Sequence, residues 1–458
     1  MNKELLYNKE TVYKKAAAKV VKSAFDYAEG YKNFLDAAKT EREAVRVTIE
    51  MLEKKGFSEY KLGDKINKGD RLYYNNRGKN LFAFAIGSRD ISEGLRISAS
   101  HIDAPRIDLK QCPLYEDGGM AYFKTHYYGG IRKYQWVATP LALHGVIVTK
   151  DGNTINVCVG EDDSDPVFYI SDLLPHLGRE QAKLPLSEAI KGEQLNVLLG
   201  NMPESEDNSV KNAILTLLNE KYGIEEEDFL SSELCVVPAA KARDIGFDRS
   251  LIGAYGHDDR VCAYPSITAM LEALDSGCEN SIMCILADKE ETGSDGVSGM
   301  KSDLMIDIIN EIAASFGISP SLLRANSKCL SADVSAGFDP NFAEVYEKMN
   351  SAFVGCGTIF TKYTGSGGKG STNDANAEFI SWLRAAMDKY GVIWQSAELG
   401  KVDAGGGGTV AKFIAQHNIE TIDLGVAVIS MHAPYEVVSK VDVYETHRAI
   451  EAFYCFNR

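Results

Sequence analysis

Short apolar runs that break abruptly into polar side chains recur along this chain. The clearest run extends from Ile282 to Ala287, is apolar at every position, and is followed by Glu290 and Glu291. A run that is apolar on both faces is typical of a central strand covered by helices on both sides. The Thr-Gly-Ser-Asp-Gly that follows the glutamates indicates a loop. We therefore predict a buried strand whose carboxyl end delivers two adjacent carboxylates.

Helices and strands alternate over much of the remaining chain. The spacing of apolar residues predicts helix from Asn2 to about Lys55, and strands over Leu81–Gly87 and Leu95–Ser100. After Arg243 the same criteria predict helices from about Val261, Asp303, Asn376 and Val438, and strands at Lys328–Ala332 and Ile422–Ser430. This alternation favours an α/β fold with a mixed, largely parallel sheet between helices.

The sequence changes character between residues 107 and 239. This stretch is rich in Tyr, Val and Thr, and Asp151-Gly152 predicts the turn of a hairpin within Val148–Val157. One helix is predicted inside it, from about Ser209 to Lys221. Because 458 residues exceed one ordinary core, we predict two domains. Residues 1–106 and 240–458 form a discontinuous domain, and residues 107–239 form an inserted β-rich domain.

Composition limits the possible partners. The net charge is −16 and no basic cluster is visible, which argues against a nucleic-acid partner. The amino terminus lacks the apolar core of a signal peptide and no apolar run is long enough to span a bilayer, so we expect a cytoplasmic protein without a membrane partner. Nine cysteines without a Cys-x-x-Cys pair indicate reduced core residues rather than a thiolate site. Any metal must therefore be bound by His, Asp and Glu.

Several predicted strand ends carry side chains that can bind a metal ion. They are His101, the pair Glu290 and Glu291, Asp333 and His432, and Asp258 lies in a loop that opens a helix. The carboxyl ends of parallel strands meet at one edge of a sheet, so we expect these groups to converge. Imidazole and carboxylate without thiolate suit a catalytic zinc, cobalt or manganese site, and several carboxylates suit two ions.

The other histidines do not follow this pattern. His126, His144, His417 and His447 have no neighbouring carboxylates that fit it, and His257 either joins the site or merely flanks it. A satisfied core or surface histidine is the simpler interpretation for the first four.

One glycine-rich stretch, Thr364–Thr372, could be mistaken for a nucleotide-binding loop. Gly365, Gly367 and Gly370 formally fit the dinucleotide pattern, but no strand–turn–helix unit with a ribose-binding acid follows. Lys369 is followed by glycine rather than Ser or Thr, which fails the phosphate-loop pattern. We interpret this stretch and Gly405–Thr409 as lid loops.

Together these motifs resemble the aspartyl aminopeptidases, dinuclear zinc metallopeptidases that assemble as tetrahedral cages. The resemblance covers the whole chain and rests on five motifs in the same order, with an insertion between the first two. The motifs are Ser100-His-Ile-Asp103, His257-Asp-Asp259, Glu290-Glu291, Ser331-Ala-Asp333 and Ser430-Met-His432.

The resemblance implies a function and a role for each of these residues. Asp258 bridges two divalent ions, most simply zinc with cobalt or manganese as alternatives. His101 and Asp333 complete the ligand set of one ion, and Glu291 and His432 complete that of the other. Glu290 is the general base that acts on a metal-activated water, and Asp103 orients His101. The implied reaction is release of amino-terminal residues, acidic ones preferred and neutral ones possible, from peptides.

The resemblance also implies an assembly. The inserted domain makes dimer contacts within a homo-dodecameric cage, and a histidine from it reaches a neighbouring active site. His176, in Leu174-Pro-His-Leu177, is the best match. Two other functions remain open at this point: a related dinuclear amidase or deacylase, and a non-enzymatic scaffold stabilised by metal.

Overall fold

A computed structural model describes Leu5, residues 7–204 and residues 209–457. Its helices are α1 (Val12–Lys15), α2 (Ala18–Ala37), α3 (Glu41–Glu53), α4 (Leu186–Ala189), α5 (Val210–Tyr222), α6 (His257–Asp275), α7 (Leu304–Ser315), α8 (Pro320–Asn326), α9 (Ala377–Tyr390), α10 (Ala411–Ala415) and α11 (Lys440–Cys455).

The strands are β1 (Ser58–Glu59), β2 (Arg71–Asn76), β3 (Asn80–Ala85), β4 (Arg96–His101), β5 (Arg106–Asp117), β6 (Met120–Tyr128), β7 (Pro140–Val148), β8 (Thr154–Val159), β9 (Phe168–Tyr169), β10 (Val197–Gly200), β11 (Ser232–Pro238), β12 (Arg243–Ile245), β13 (Leu251–Ala254), β14 (Ile282–Ala287), β15 (Lys328–Ala332), β16 (Ser335–Ala336), β17 (Thr358–Thr361), β18 (Trp394–Ser396), β19 (Glu420–Gly425), β20 (Ala427–Val428) and β21 (Glu436–Ser439).

The chain divides into two compact units. The first contains residues 1–103, 242–431 and 436–458, and the second contains residues 104–241 and 432–435. The predicted insertion, 107–239, lies inside the second unit. The short segment 432–435, which we had placed in the discontinuous domain, groups with the second unit.

A nine-stranded sheet forms the centre of the first unit. Its order is β1-β2-β3-β14-β4-β15-β19-β17-β18. The four central strands, β14, β4, β15 and β19, run parallel, whereas β3 and β17 pair with them in the antiparallel direction. The predicted mixed, largely parallel sheet is confirmed. The carboxyl ends of the four central strands consequently open onto the same edge.

Strand β14 shows why the central strands are apolar throughout. Its six residues are all buried. Ile282, Cys284 and Leu286 pack into the core on one face of the sheet, and the alternate residues pack into a second core on the other face. Because successive side chains of a strand point to opposite faces, a strand covered on both sides needs apolar residues at every position.

The second unit is built mainly from one antiparallel sheet. Six strands follow the order β11-β5-β6-β10-β9-β7, and β11 pairs again with β7, so the ring closes and β8 is added at β7. The predicted hairpin is present, with Val148 opposite Thr154. Closure of the ring leaves β8 as the exposed margin of the sheet.

The amino-terminal segment differs from the prediction. We expected helix from Asn2 to about Lys55, and the described part contains three helices instead; Asn2, Lys3, Glu4 and Leu6 lie outside the described residues. The break before α3 has a clear cause. The Thr40 side chain accepts a hydrogen bond from the Glu43 N–H at 3.3 Å, and the Glu43 carboxylate accepts one from the Thr40 N–H at 3.0 Å. This capping box starts a new helix.

Among the described residues, no single helix is long and apolar enough to cross a membrane. The consecutive helices α7 and α8 reach that length and composition only together, with a bend of 111° between them.

Candidate metal centre and active site

His101 is the last residue of β4 and lies at the carboxyl edge of the sheet with 2% of its side chain exposed. Its Nδ1 is 3.0 Å from the carbonyl oxygen of Asp103. A carbonyl oxygen can only accept, so Nδ1 carries the proton and donates it there. In the neutral ring the other nitrogen, Nε2, then presents a lone pair. This is the tautomer that a metal-binding histidine requires.

Three carboxylates surround that lone pair. The Nε2 of His101 lies 3.1 Å from Asp258 Oδ1, 3.8 Å from Asp333 Oδ1 and 3.9 Å from Glu290 Oε2. His101, Asp258 and Asp333 each offer one ligand atom, and these three atoms lie within 4.8 Å of one another. His101 ends β4, Asp258 lies at the start of α6 and Asp333 follows β15. The three residues are therefore far apart in the sequence.

Asp258 also approaches a second carboxylate. One oxygen of Asp258 and one of Glu291 lie within 4.8 Å of each other. The Asp258 N–H donates to Glu436 Oε2 at 3.1 Å, and the peptide bond between Asp258 and Asp259 is cis. Asp258 thus lies between the His101–Asp333 pair and Glu291.

The two adjacent glutamates are held through their backbones. The N–H of Glu290 donates to Asp103 Oδ1 at 3.2 Å, and the N–H of Glu291 donates to Asp103 Oδ2 at 3.2 Å. The carboxylate of Asp103 is fully buried and lies 3.4 Å from the Nδ1 of His101. One side chain therefore fixes both the histidine and the loop that carries the glutamates.

A close backbone approach sets the position of Asp333. The N–H of Asp333 donates to the carbonyl of Leu424 at 2.9 Å, which extends the β15–β19 pairing by one residue. A Cβ atom on Gly425 would lie 1.7 Å from the Asp333 carbonyl oxygen. Only glycine fits there, so Gly425 is required for Asp333 to reach the edge.

The electrostatics of the cluster favour a cation. Burial alone would lower the pKa of His101, but its contacts with Asp103 and Asp258 and the charges of Glu290 and Asp333 raise that pKa well above its usual value. Burial, reinforced by the neighbouring carboxylate of Asp259, raises the pKa of Asp333 well above its usual range. Buried carboxylates that repel one another are stabilised when divalent ions lie between them.

The donor set fits divalent metal ions. A neutral imidazole nitrogen and several carboxylate oxygens without thiolate suit zinc, cobalt or manganese. His101, Asp258, Asp333 and Glu291 could hold such ions, whereas Glu290 lies beside them at the same edge. A carboxylate beside the ligands is where a proton acceptor for bound water is needed.

The remaining predicted residues belong to the second unit. The Nδ1 of His432 donates to the carbonyl of Gly130 at 2.8 Å, so its Nε2 also presents a lone pair. His432 has a φ of 65° and follows Met431, the last residue of the preceding segment of the first unit. His176 is exposed and lies in an irregular stretch between β9 and α4.

His257 is excluded as a ligand by its own hydrogen bonds. Its Nε2 donates to the Ile252 carbonyl at 3.2 Å, and its Nδ1 accepts from the Tyr31 hydroxyl at 2.8 Å. Burial lowers the pKa of His257 to about 3, so the ring stays neutral. His257 therefore holds the start of α6 in place through these two hydrogen bonds and does not bind a metal ion.

Two residues at the site were not predicted from the sequence. Glu436 accepts from the Asp258 N–H at 3.1 Å, and Asp259 accepts from the His101 N–H at 3.3 Å. Asp259 adjoins a predicted ligand and could have been proposed for that reason. Glu436 opens β21 and carries no local signal that points to Asp258.

The fold and the cluster define a class: α/β proteins that bind divalent ions in a centre rich in carboxylate and imidazole at the edge of a parallel sheet. The family model described as "Aminopeptidase I zinc metalloprotease (M18)" matches residues 34–454. The chain belongs to this M18 family of zinc aminopeptidases.

Individual relatives agree over the full length. A protein of Clostridium acetobutylicum named "Probable M18 family aminopeptidase 1" is 50% identical over 464 aligned residues, 99% of each chain. The crystal structure of an M18-family aminopeptidase from Thermotoga maritima superposes with a TM-score of 0.93 at 42% identity, covering 98% of this chain and 99% of that one.

A more distant structure, the mApe1 dodecamer of yeast, superposes with a TM-score of 0.77 at 21% identity and covers 94% of this chain and 96% of that one. At this identity the likeness shows the fold alone. The predicted family, fold class and metal-dependent aminopeptidase activity are confirmed.

Proposed function

We propose that this aminopeptidase works with two divalent metal ions, most simply zinc, bound at the edge of the nine-stranded sheet. The observation that carries the proposal is that His101 Nε2 faces Asp258 and Asp333, while one oxygen of Glu291 lies within 4.8 Å of the same Asp258. Asp258 would be shared by the two ions, with His101 and Asp333 holding one ion and Glu291 and His432 holding the other.

Each of this chain's residues has a distinct task in the proposed mechanism. When bound, the two ions would activate a water molecule and polarise the carbonyl of the scissile peptide bond. Glu290 accepts a proton from the attacking water at its carboxylate and returns that proton to the leaving amine. Asp103 keeps the proton of His101 on Nδ1 and holds the backbone of both glutamates.

The specificity of the site is the second part of the proposal. We infer a preference for acidic amino-terminal residues, with neutral ones accepted less well. Support comes from the resemblance of the five motifs to those of the aspartyl aminopeptidases.

A substrate panel tests these assignments. Metal-stripped enzyme is reconstituted with Zn²⁺, Co²⁺ or Mn²⁺ and assayed on aspartyl-, glutamyl-, leucyl- and methionyl-anilides. We expect the highest kcat/KM on the two acidic substrates with at least one of these metals. Equal or higher kcat/KM on leucyl-anilide would refute the acidic preference while leaving the metal mechanism intact.

A blocked substrate serves as the matched control. N-acetyl-aspartyl-anilide has the same side chain and scissile bond but lacks the free amine. An aminopeptidase must leave it intact, and cleavage at a comparable rate would indicate the amidase or deacylase function that the metal pattern alone leaves open.

We further propose that the chain assembles as a homo-dodecamer in which His176 reaches a neighbouring active site. Its support is the apolar surface beside His176, where Leu173, Leu174 and Leu177 are 52%, 50% and 70% exposed. Exposed leucines that cluster in this way are typical of a surface covered by a partner. Light scattering should give the mass of twelve 50.2 kDa chains, about 602 kDa; a monomer or dimer would contradict the proposal.

A cytoplasmic location is also part of the proposal. All nine cysteines carry free thiols, as expected in a reducing compartment. Fractionation of the source cells, followed by immunoblotting, would test it.

A further inference from the structure

A second group of metal-competent side chains lies between helices α6 and α11. Glu272 comes from α6, and His447 and Glu451 come from α11. One ligand atom from each lies within 4.8 Å of the others. Glu272 is fourteen residues from Asp258 along α6, which corresponds to about 21 Å of helix. The group is therefore separate from the catalytic cluster.

The orientation of His447 resembles that of the two histidines described above. Only 3% of its side chain is exposed, and its Nδ1 lies 2.9 Å from the hydroxyl oxygen of Thr268. That hydroxyl donates its own proton to the Tyr264 carbonyl at 3.0 Å, so it accepts from Nδ1 of His447. Tyr27 donates a further hydrogen bond to the same oxygen at 2.7 Å. With the proton on Nδ1 alone, the Nε2 of His447 directs a lone pair toward the two glutamates.

The spacing of the three residues suits coordination. His447 and Glu451 are four residues apart and lie on one face of α11. The distance from His447 Nε2 to Glu272 Oε2 is 2.9 Å. Two ligand atoms that are each about 2.1 Å from a metal ion and subtend about 90° are about 3 Å apart, so the distance fits adjacent positions of an octahedral ion.

The charges are consistent with a bound cation. Two carboxylates face one imidazole, and the guanidinium of Arg448, the next residue along α11, forms contacts of 2.7 and 2.9 Å with Glu445. Burial and the charge of Glu272 raise the pKa of Glu451. The side chain of Glu272 is 61% exposed, which leaves room for water ligands on the solvent side.

We propose that Glu272, His447 and Glu451 bind a divalent transition-metal ion at a site outside the catalytic centre. The ion joins α6, whose first turn carries Asp258, to the carboxyl-terminal helix α11. Since an ion that binds only the folded protein stabilises it by mass action, occupancy raises the melting temperature.

Metal stoichiometry tests the proposal. Metal-stripped wild-type enzyme and the double variant Glu272→Gln/Glu451→Gln are dialysed against Co²⁺ or Mn²⁺, and bound metal per subunit is counted by mass spectrometry. We expect the double variant to bind one equivalent fewer than wild type while its kcat and KM stay unchanged. The control Glu279→Gln, which removes one negative charge just beyond the end of α6, should bind as wild type does.

A second measurement separates this site from the catalytic one. In an Asp258→Asn background the proposed extra equivalent should remain, and adding Glu272→Gln to that background should remove it. Equal metal content in wild type and the Glu272/Glu451 variant would overturn the proposal and would mean that His447 donates an Nε2 proton to Glu272 instead. Because Glu272 is exposed, the single variant Glu272→Gln gives the same readout if the double variant folds poorly.

Discussion

The sheet edge of the first unit and the irregular stretch around His176 in the second unit place their histidines in opposite ways. His101 is 2% exposed, ends a central strand and has both ring nitrogens directed by neighbours. His176 is exposed, and the chain from Gly160 to Asn196 around it contains only short elements: the two-residue β9, the four-residue α4 and two 3-10 helices of three residues each. Regular elements can position a chemical group within one chain, whereas a group on an exposed stretch needs another surface to fix it.

The largest effect is expected from removing the carboxylate of Asp258, the proposed bridging ligand. Asp258→Asn should reduce turnover to background and also reduce bound metal, because both halves of the centre depend on this carboxylate. Activity and metal content are measured on the same preparation. Asp26→Asn, an exposed aspartate paired with Lys22 on α2, should leave both unchanged. Full metal content in Asp258→Asn would argue against a bridge.

The proposed base should separate chemistry from metal binding. Glu290→Gln should reduce kcat by about 10²–10⁴-fold, the usual contribution of general base catalysis, while bound metal persists. Glu291→Gln one residue later should lose metal as well as rate. If the two variants behave alike, the division of labour between these neighbours is wrong.

Substitution of His176 tests the proposal that this histidine acts in the active site of a neighbouring subunit. His176→Ala should lower kcat by about 10²-fold, as expected for one donor that stabilises the transition state, without changing metal content or the mass of the assembly. Lys183→Ala, exposed in the same stretch, is the control. Wild-type kcat in His176→Ala would show that this histidine takes no part in catalysis.

A smaller effect is expected from the residue that organises the buried histidine. The Asp103 carboxylate accepts hydrogen bonds from the backbone N–H groups of Glu290 and Glu291. In Asp103→Asn one oxygen can still accept, but the amide NH₂ group faces the other backbone N–H and that hydrogen bond is lost. Metal affinity should fall by about 10–100-fold, which is typical of an outer partner of a metal ligand. Competition with a chelator measures it; an unchanged affinity would assign Asp103 to folding alone.

The smallest expected effect is the contribution of the buried carboxylate of Asp442 to the pH dependence of stability. Asp442 accepts from the N–H groups of Gly355 at 2.6 Å and Gly357 at 2.7 Å, yet burial raises its pKa to about 7. The folded state therefore holds a proton that the unfolded state has released, so the free energy of unfolding should decrease as pH rises from about 4 to about 7, by at most ~1.4 kcal/mol per pH unit.

Urea unfolding of metal-stripped wild type and Asp442→Asn at pH 5 and pH 7.5 measures this contribution. Because only the difference between the two proteins is used, other titrating groups cancel. The variant should lose less stability than wild type over this interval, and parallel pH dependences would show that the Asp442 pKa is ordinary.

The same contrast explains how much could be read from the sequence. The meeting of His101, Glu290 and Asp333 at one edge was predictable because each lies at or shortly beyond the end of a predicted strand, and the ends of parallel strands share one edge. The strand at 282–287 was predicted with the bounds the structure shows because its residues face two cores and must all be apolar.

Other features depend on contacts that no local pattern encodes. Closure of the ring in the second unit joins β7 to β11 across more than eighty residues of chain. Glu436 meets the N–H of Asp258, which lies 178 residues earlier. The carboxylates beside His447 also come from two helices, so no local pattern groups them. By contrast, the break at Thr40 was readable, because Thr-x-x-Glu is a local signal for a new helix.

The distribution of the proposed ligands has a consequence for how the enzyme is made. The first, His101, and the last, His432, are separated by most of the chain, and β19, which lies between β15 and β17 in the sheet, is also among the last elements to be synthesised. Strands β17 and β18 must therefore wait for β19 before they join the sheet. We expect a nascent or prematurely terminated chain to lack a complete centre, so that peptide-cleaving activity appears only once translation is almost finished.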